Sequence, residues 1–166
     1  MDDGRPGVVN QIVGGWQLGT VATIQSGRPL NMQAGFDVSG TNDYGEIRLS
    51  ATGQDPYAAS PSSNGWFNPA GFTLSALGTY GNMSRNRLMG PSTAAVDFST
   101  LKNLYIREGH QLQFRFEAFN FPNHPRSGAP TISWGSRDRA KPGPSFGLIR
   151  GTGTMRQLQF ALKYVF

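Results

Sequence analysis

Residues 143–147, GPSFG, match the G-x-S-x-G motif of esterases and lipases, in which a serine nucleophile sits on a sharp turn between a strand and a helix. The segment before Ser145 is rich in charge and proline rather than apolar, and no histidine follows it to act as the base. We therefore expect Ser145 to be an ordinary turn residue. A small soluble serine hydrolase that uses Ser145 is kept as the alternative.

Ser99 and Lys102 match a second motif, the S-x-x-K pair of penicillin-binding proteins. This pair functions on a helix, where a spacing of three residues brings the lysine beside the serine. On a strand the two side chains point to opposite faces, and the surrounding alternation predicts a strand. We therefore expect no catalytic pair, with Ser99 as the other candidate nucleophile of the alternative hydrolase.

Metal-binding residues are sparse in this sequence. The chain has no cysteine, and its two histidines, His110 in a tight turn and His124 before a proline, have no neighbouring ligand residue. We expect both to be solvated loop histidines. One loop contains four oxygen donors for calcium without the spacing of an EF-hand: Asp37, Asn42, Asp43 and Glu46. Polar loop residues explain them equally well, so no metal or cofactor is predicted.

Composition favours a turn-rich β protein. Charged residues make up 15% of the 166 residues, against about 25% in a typical soluble domain, while the chain contains 22 glycines and 11 prolines. The net charge is +5, but lysine and arginine are scattered, so we expect no nucleic-acid surface. The chain contains no apolar run of about 18 residues, so the sequence predicts no transmembrane helix. This observation does not exclude membrane β-strands, which need no such run. The first residues lack signal-peptide features, which indicates a mature protein or a piece of a longer one.

Four segments alternate apolar and polar side chains with the period of a β-strand: residues 12–25, 94–106, 111–121 and 156–166. Their lengths of about 10 to 13 residues suit a tilted membrane span better than the 5 or 6 of soluble strands. The apolar face of the last segment consists of Leu158, Phe160, Leu162, Tyr164 and Phe166. We predict an all-β fold, an antiparallel meander of about four long strands within a larger transmembrane β-barrel.

Lys102 interrupts the apolar face of the second segment. It lies shortly before the tight turn at residues 107–110, so we expect its ammonium group to reach a membrane interface. We expect Leu101 to mark a β-bulge.

The connections between the segments alternate in length. Residues 1–166 are treated as a single segment, in which residues 26–91 and 122–154 are predicted to be long loops with short strand candidates at 29–34 and 46–50. The order of the connections is a long loop, a four-residue turn and a second long loop. This alternation is typical of transmembrane barrels, whose short turns are periplasmic and whose long loops are extracellular.

Two further sets of side chains follow from this arrangement. The polar face of the strands would line the barrel lumen with three charges: Arg115, Glu117 and Lys163. The loops contain three aromatic residues: Trp66, Phe67 and Trp134. In a ligand-binding receptor with outward-facing loops, these rings would contact the ligand by stacking. The alternative, which the sequence favours, is that these aromatics pack on neighbouring loop residues.

Several blocks together resemble a known family: GGWQLGTVATIQSGRPL, GWFNPAGF, YGNMSRNRLMGPSTAAVDFSTLKN, QLQFRFEAFNFPNHP and RQLQFALKYVF. The chain resembles the C-terminal barrel segment of TonB-dependent outer-membrane receptors, of the carboxypeptidase-regulatory-like type of acidobacteria. The resemblance implies a barrel of about 22 strands with a plug, which imports scarce nutrients across the bacterial outer membrane. It implies no catalytic activity, and it makes the apolar face of the closing strand a signal for the barrel-assembly machinery.

The resemblance also implies partners. These are the remainder of the barrel, outer-membrane lipid and a small-molecule or glycan ligand. Four strands are too few to close even the smallest barrel of about 8 strands. A self-associating β-rich protein, whose copies supply the missing strands to one another, is therefore a third hypothesis.

Overall fold

The computed structural model describes residues 7–42 and 47–166. The elements follow one another in the order α1 (Val8–Val13), β1 (Trp16–Gln25), β2 (Pro29–Leu30), β3 (Ser50–Ala51), β4 (Tyr57–Ser62), β5 (Gly65–Phe67), a 3-10 helix (Pro69–Gly71), β6 (Phe72–Thr73), β7 (Leu88–Met89), β8 (Thr93–Arg107), β9 (His110–Phe119) and β10 (Gln157–Val165). Within these residues no helix is long and apolar enough to cross a membrane.

The chain divides into two compact units. The first, which we call the sheet unit, takes in the residues up to Ile24 together with Ala94–Pro125 and Thr154–Phe166. The second, which we call the loop unit, comprises Gln25–Thr93 and Arg126–Gly153.

The sheet unit contains a four-stranded sheet in the order β1-β8-β9-β10. Strands β8 and β9 form the predicted tight hairpin, in which Arg107 faces His110 and Gly109 adopts the left-handed φ of +74° that favours glycine. Strand β10 lies antiparallel to β9, from Gln157 opposite Phe119 onwards. The prediction of an antiparallel meander of four long strands is confirmed.

Two local predictions in the sheet unit are wrong. Ile12, placed in the first strand, lies in helix α1, and the strand begins only at Trp16. Leu101 pairs regularly with Arg115, and the irregularity of β8 falls between Tyr105 and Arg107 instead. A bulge beside the hairpin adjusts the twist where the two strands join, which explains its position.

Lys102 does not reach an interface. Only 5% of its surface is exposed, and its Nζ donates hydrogen bonds to the carbonyl oxygens of Gln11, Ile12 (3.2 Å) and Gly14. These carbonyls lie at the C-terminal end of α1, where they have no partner within the helix and carry the negative end of its dipole. The ammonium group also lies 5.1 Å from the centre of the Trp16 ring, a cation–π distance. Lys102 therefore fastens α1 to the apolar face of the sheet unit.

The loop unit contains the hydrophobic core found among the described residues. Its centre is an aromatic cluster in which the Phe146 ring lies 5.3 Å from Trp134, 5.4 Å from Phe72 and 6.0 Å from Phe67. Three two-stranded ladders surround this cluster, β2 with β7, β3 with β6 and β4 with β5. The described residues of the loop unit thus form a packed structure between the strands of the sheet. Sequence periodicity missed it because most of these strands are only two or three residues long; Glu46, the start of one candidate strand, lies outside the described residues.

The contacts of Lys102 predict that its substitution affects α1 without affecting the strands of the sheet. In Lys102→Met we expect α1 to detach, at a cost of about 2 kcal/mol, because the Gln11 and Gly14 carbonyls lose their Lys102 donor and the Ile12 carbonyl keeps only the Trp16 indole N–H. Hydrogen exchange should show lost protection at the Gln11 amide, which donates to the carbonyl of Gly7 just before α1, while the amides of β9 stay protected. Lys163→Met removes the same charge from an exposed position and serves as the control. Equal protection of Gln11 in both variants would contradict this role of Lys102.

Candidate functional site

The face of the sheet formed by the even-numbered residues of β8, β9 and β10 is mainly apolar. Register places Phe160 opposite Phe116, with ring centres 5.0 Å apart, and Leu162 opposite Phe114. On β10 every residue is exposed: Phe160 keeps 65% of its surface and Leu162 keeps 68%. An exposed apolar surface that continues across several strands marks a contact with lipid or with another protein surface.

The other face carries the predicted lumen charges. Arg115 lies opposite Ala161, and Glu117 lies opposite Gln159. Lys163 lies opposite Gln113, so its nearest charge in the register is the diagonal Arg115 rather than Glu117. The three charges share one face of the sheet, as the alternation predicts, but the register forms no direct cross-strand ion pair between them.

One end of the apolar face is rimmed by amphipathic rings. His110 Nδ1 lies 2.6 Å from the hydroxyl of Tyr164, and the two rings stack with centres 5.8 Å apart. The Phe166 ring stacks on Tyr164 in turn, at 5.9 Å. His110 is therefore a strand residue hydrogen-bonded to the closing strand, and the prediction of a solvated loop histidine is wrong. Aromatic rings with a polar end are typical of the membrane–water interface of barrels.

Among the described residues, neither candidate nucleophile is hydrogen-bonded to a side chain that could act as its base. The Ser145 hydroxyl accepts a hydrogen bond from the Arg150 guanidinium (3.2 Å), a group that stays protonated and cannot take up the serine proton. Ser99 Oγ is directed to the carbonyl oxygen of Gly19 (3.4 Å), whereas Lys102 on the opposite face is bound to α1. The geometry thus provides neither an esterase elbow nor an S-x-x-K pair.

The loop aromatics differ in accessibility. Trp134 is completely buried and its Nε1 donates to the Asp138 carbonyl (2.9 Å), while Phe67 keeps only 3% of its surface. The expectation that these two side chains contact a ligand is therefore wrong, and the packing alternative holds for them. Trp66 is half-buried, with its Nε1 donating to the Met89 carbonyl (3.1 Å), and part of its ring remains accessible.

The Asp37 carboxylate stabilises the loop in which it lies. Its carboxylate accepts hydrogen bonds from the Gly40 and Asn42 amides (2.8 Å each) and from the Ser39 hydroxyl (3.0 Å). Desolvation alone would raise the pKa of Asp37, but these donors outweigh it and hold the pKa below the ordinary value of an aspartate. The other two candidate calcium ligands, Asp43 and Glu46, lie outside the described residues. Among the described residues no group of three acidic or histidine side chains is arranged to hold a metal.

Asn120 is an anchor that the sequence reasoning missed. It is 96% buried with a left-handed φ of +51°, and its backbone amide donates to Asp97 (2.8 Å). Its side-chain amide donates to the carbonyls of His124 (3.0 Å) and Thr154 (3.3 Å). It therefore ties together the end of β9, the following turn and the approach to β10. The signal was available, because asparagine is among the residues that tolerate this φ in a turn.

This combination of features defines a class of protein. Long antiparallel strands, an exposed apolar face, a charged opposite face and connections of alternating length describe the wall of an outer-membrane β-barrel. Comparison with protein families agrees, because the model of the outer membrane beta barrel domain matches residues 2–159. The chain belongs to this family, and its location is the bacterial outer membrane. Neither the curated proteins nor the solved structures gave a match.

The buried position of Trp134 predicts a structural role. Trp134→Ala should destabilise the loop unit by about 3 to 5 kcal/mol, since it leaves a large cavity in the aromatic cluster. Hydrogen exchange should detect this at the Gly135 amide, which donates to Ala34 at 3.1 Å. Leu77→Ala is the control, because Leu77 is 85% exposed and its truncation should change stability by at most about 0.5 kcal/mol. Unchanged protection of Gly135 in Trp134→Ala would contradict the packing role.

Proposed function

We propose that this chain forms part of the barrel wall and of the extracellular loops of a TonB-dependent outer-membrane nutrient receptor, of the carboxypeptidase-regulatory-like type of acidobacteria, and that it is not catalytic by itself. Membership of the outer membrane beta barrel domain family supports the barrel wall. The sequence blocks that resemble these receptors, from GGWQLGTVATIQSGRPL to RQLQFALKYVF, support the finer assignment.

The exposed apolar sheet face is the observation that carries the proposal. Within the described residues the hydrophobic core lies in the loop unit, while β1 and β10 leave all their side chains exposed. In water such a surface would be costly, at about 25 cal/mol per Å². In a membrane it is the surface that contacts lipid, whereas Arg115, Glu117 and Lys163 on the other face line the lumen.

The two outer strands of the sheet require partners. Strands β1 and β10 end the strand order β1-β8-β9-β10, so each has a row of backbone N–H and C=O groups without a neighbouring strand in this sheet. Hydrocarbon offers no hydrogen bonds to such groups. Strands from the remainder of the barrel would satisfy them, and further copies of this chain would satisfy them in the same way.

In this arrangement the apolar residues of β10 have a second task. Leu158, Phe160, Leu162, Tyr164 and Phe166 form the face that the barrel-assembly machinery would recognise. The ligand of the receptor would be a small molecule or a glycan bound by the extracellular loops, where the half-buried Trp66 offers a stacking surface.

Adjacent residues on β10 test which face meets lipid. Phe160→Arg should cost about 2 to 4 kcal/mol if Phe160 faces the middle of the bilayer, whereas Ala161→Arg should cost almost nothing in a polar lumen. The measurement is the amount of protein assembled in the outer-membrane fraction of the bacteria that produce it, expected to fall at least about tenfold for Phe160→Arg alone. A greater loss for Ala161→Arg would reverse the two faces.

The receptor function is tested by epistasis. Cells that lack the gene for this protein should lose growth on one member of a panel of glycans and metal chelates, and reintroducing the gene should restore it. Loss of TonB should abolish the same growth, and loss of both should have no further effect because they act in one step. Two results would argue against the receptor assignment: the growth defects of the two losses add together, or loss of this gene reduces growth only in cells that also lack TonB. Growth on a substrate of a passive porin serves as the control.

A further inference from the structure

The loop unit contains a cavity of about 310 Å³. Two short backbone ladders form its walls. One is the β2–β7 pair, extended by the hydrogen bond from the Gly90 amide to the Arg28 carbonyl (2.9 Å). The other joins Ser127 to Thr152 in an antiparallel bridge. Both walls are held by backbone hydrogen bonds, so the cavity is a built feature of the unit.

The lining of this cavity is cationic. Arg28 and Arg126 both contribute to it, together with the hydroxyl-bearing Ser26, Thr93 and Ser127. Among the described residues, no aspartate or glutamate lines the cavity. Two guanidinium groups with hydroxyl donors and no carboxylate form a surface that attracts anions.

Arg126 is the informative member of the pair. Its Nε is buried, and no described residue accepts a hydrogen bond from it. A buried donor without an acceptor is costly and rare, and it often indicates a bound water or ion. The aliphatic stem of the side chain packs closely against Gly153, since a Cβ added there would lie 2.9 Å from the Cβ and 3.5 Å from the Cδ of Arg126.

We propose that this cavity binds a small oxyanion, the carboxylate or phosphate group of a small molecule, with the guanidinium groups of Arg126 and Arg28 as its donors. The planar guanidinium fork fits the paired oxygens of both groups. The volume lies at the lower end of the range for ligand pockets, about 300 to 1,000 Å³, so it suits a small anion or the anionic end of a larger ligand. Binding does not require TonB, so this proposal is independent of the receptor function.

The test uses the full 166-residue chain in detergent micelles at low ionic strength. Inorganic phosphate and citrate are titrated separately by calorimetry, with the amide signals of Ser127 and Gly128 followed by NMR. Saturable binding of at least one anion is expected, and the arm that binds identifies the preferred group. Arg28→Gln and Arg126→Gln should each weaken binding at least about tenfold, because each removes a charge-assisted hydrogen bond.

Arg87→Gln is the matched control. Arg87 is an exposed residue of the same unit that does not line the cavity, and its substitution lowers the net charge equally. Its effect should stay within about twofold, because an exposed charge is screened by solvent and salt.

Three outcomes would overturn the proposal. One is that neither anion saturates below about 10 mM, which would leave water as the partner of Arg126 Nε. The second is that Arg87→Gln weakens binding as much as the cavity variants do. The third is unchanged binding in Arg28→Gln. If Arg126→Gln does not fold, Arg28→Gln decides the question, because Arg28 is exposed and its substitution leaves the packing intact.

Discussion

Hydrogen bonding between neighbouring antiparallel strands is the constraint on which the sheet unit depends. The pairing of β9 with β10 runs from Gln157 opposite Phe119 to Val165 opposite Gln111 without interruption. A slip of one residue would turn every phenylalanine and leucine of β10 to the charged face. The same register brings Tyr164 beside His110 and closes one end of the strand pair with a hydrogen bond. Register, the chemistry of the two faces and the aromatic rim are thus consequences of one backbone ladder.

The distribution of apolar residues follows from the environment of each unit. The loop unit buries its apolar side chains around Trp134 and Phe146, as a water-soluble domain does. The strands of the sheet unit leave theirs on the outside. A membrane barrel needs both arrangements in one chain. The wall strands place apolar side chains against hydrocarbon, whereas the loops lie in water and must bury their apolar side chains in a core of their own. A folded loop unit also fixes the positions of side chains such as Arg126, which irregular loops would leave undefined.

The sequence was informative where a segment with strand alternation was long. Alternation over nine or more residues predicted the three strands β8, β9 and β10, their faces and the turn at Gly109. It failed where the signal was short or tertiary. Two-residue strands such as β2 have no measurable period, and the role of Lys102 depends on a helix that lies about 90 residues earlier in the chain. For the site, alternation placed Arg115 and Glu117 on one face, but it gave no sign that Arg28 and Arg126 line one cavity, because that depends on tertiary contacts between distant segments.

Lys102 and Arg126 each have a buried donor nitrogen, but the surroundings of the two nitrogens differ. Lys102 is buried with its ammonium group surrounded by carbonyl oxygens and beside the Trp16 ring, so its cost of desolvation is offset within the fold. That arrangement explains the residue completely as a fastener of α1. Arg126 has the opposite condition, because the described residues around its buried Nε supply no acceptor. A structural arginine would be paired like Lys102, for instance as Arg48 is with the Met83 carbonyl (2.7 Å). Arg126 shares its cavity with the guanidinium of Arg28, and no described carboxylate lines that cavity, so an anion from outside the chain would supply the missing negative charge.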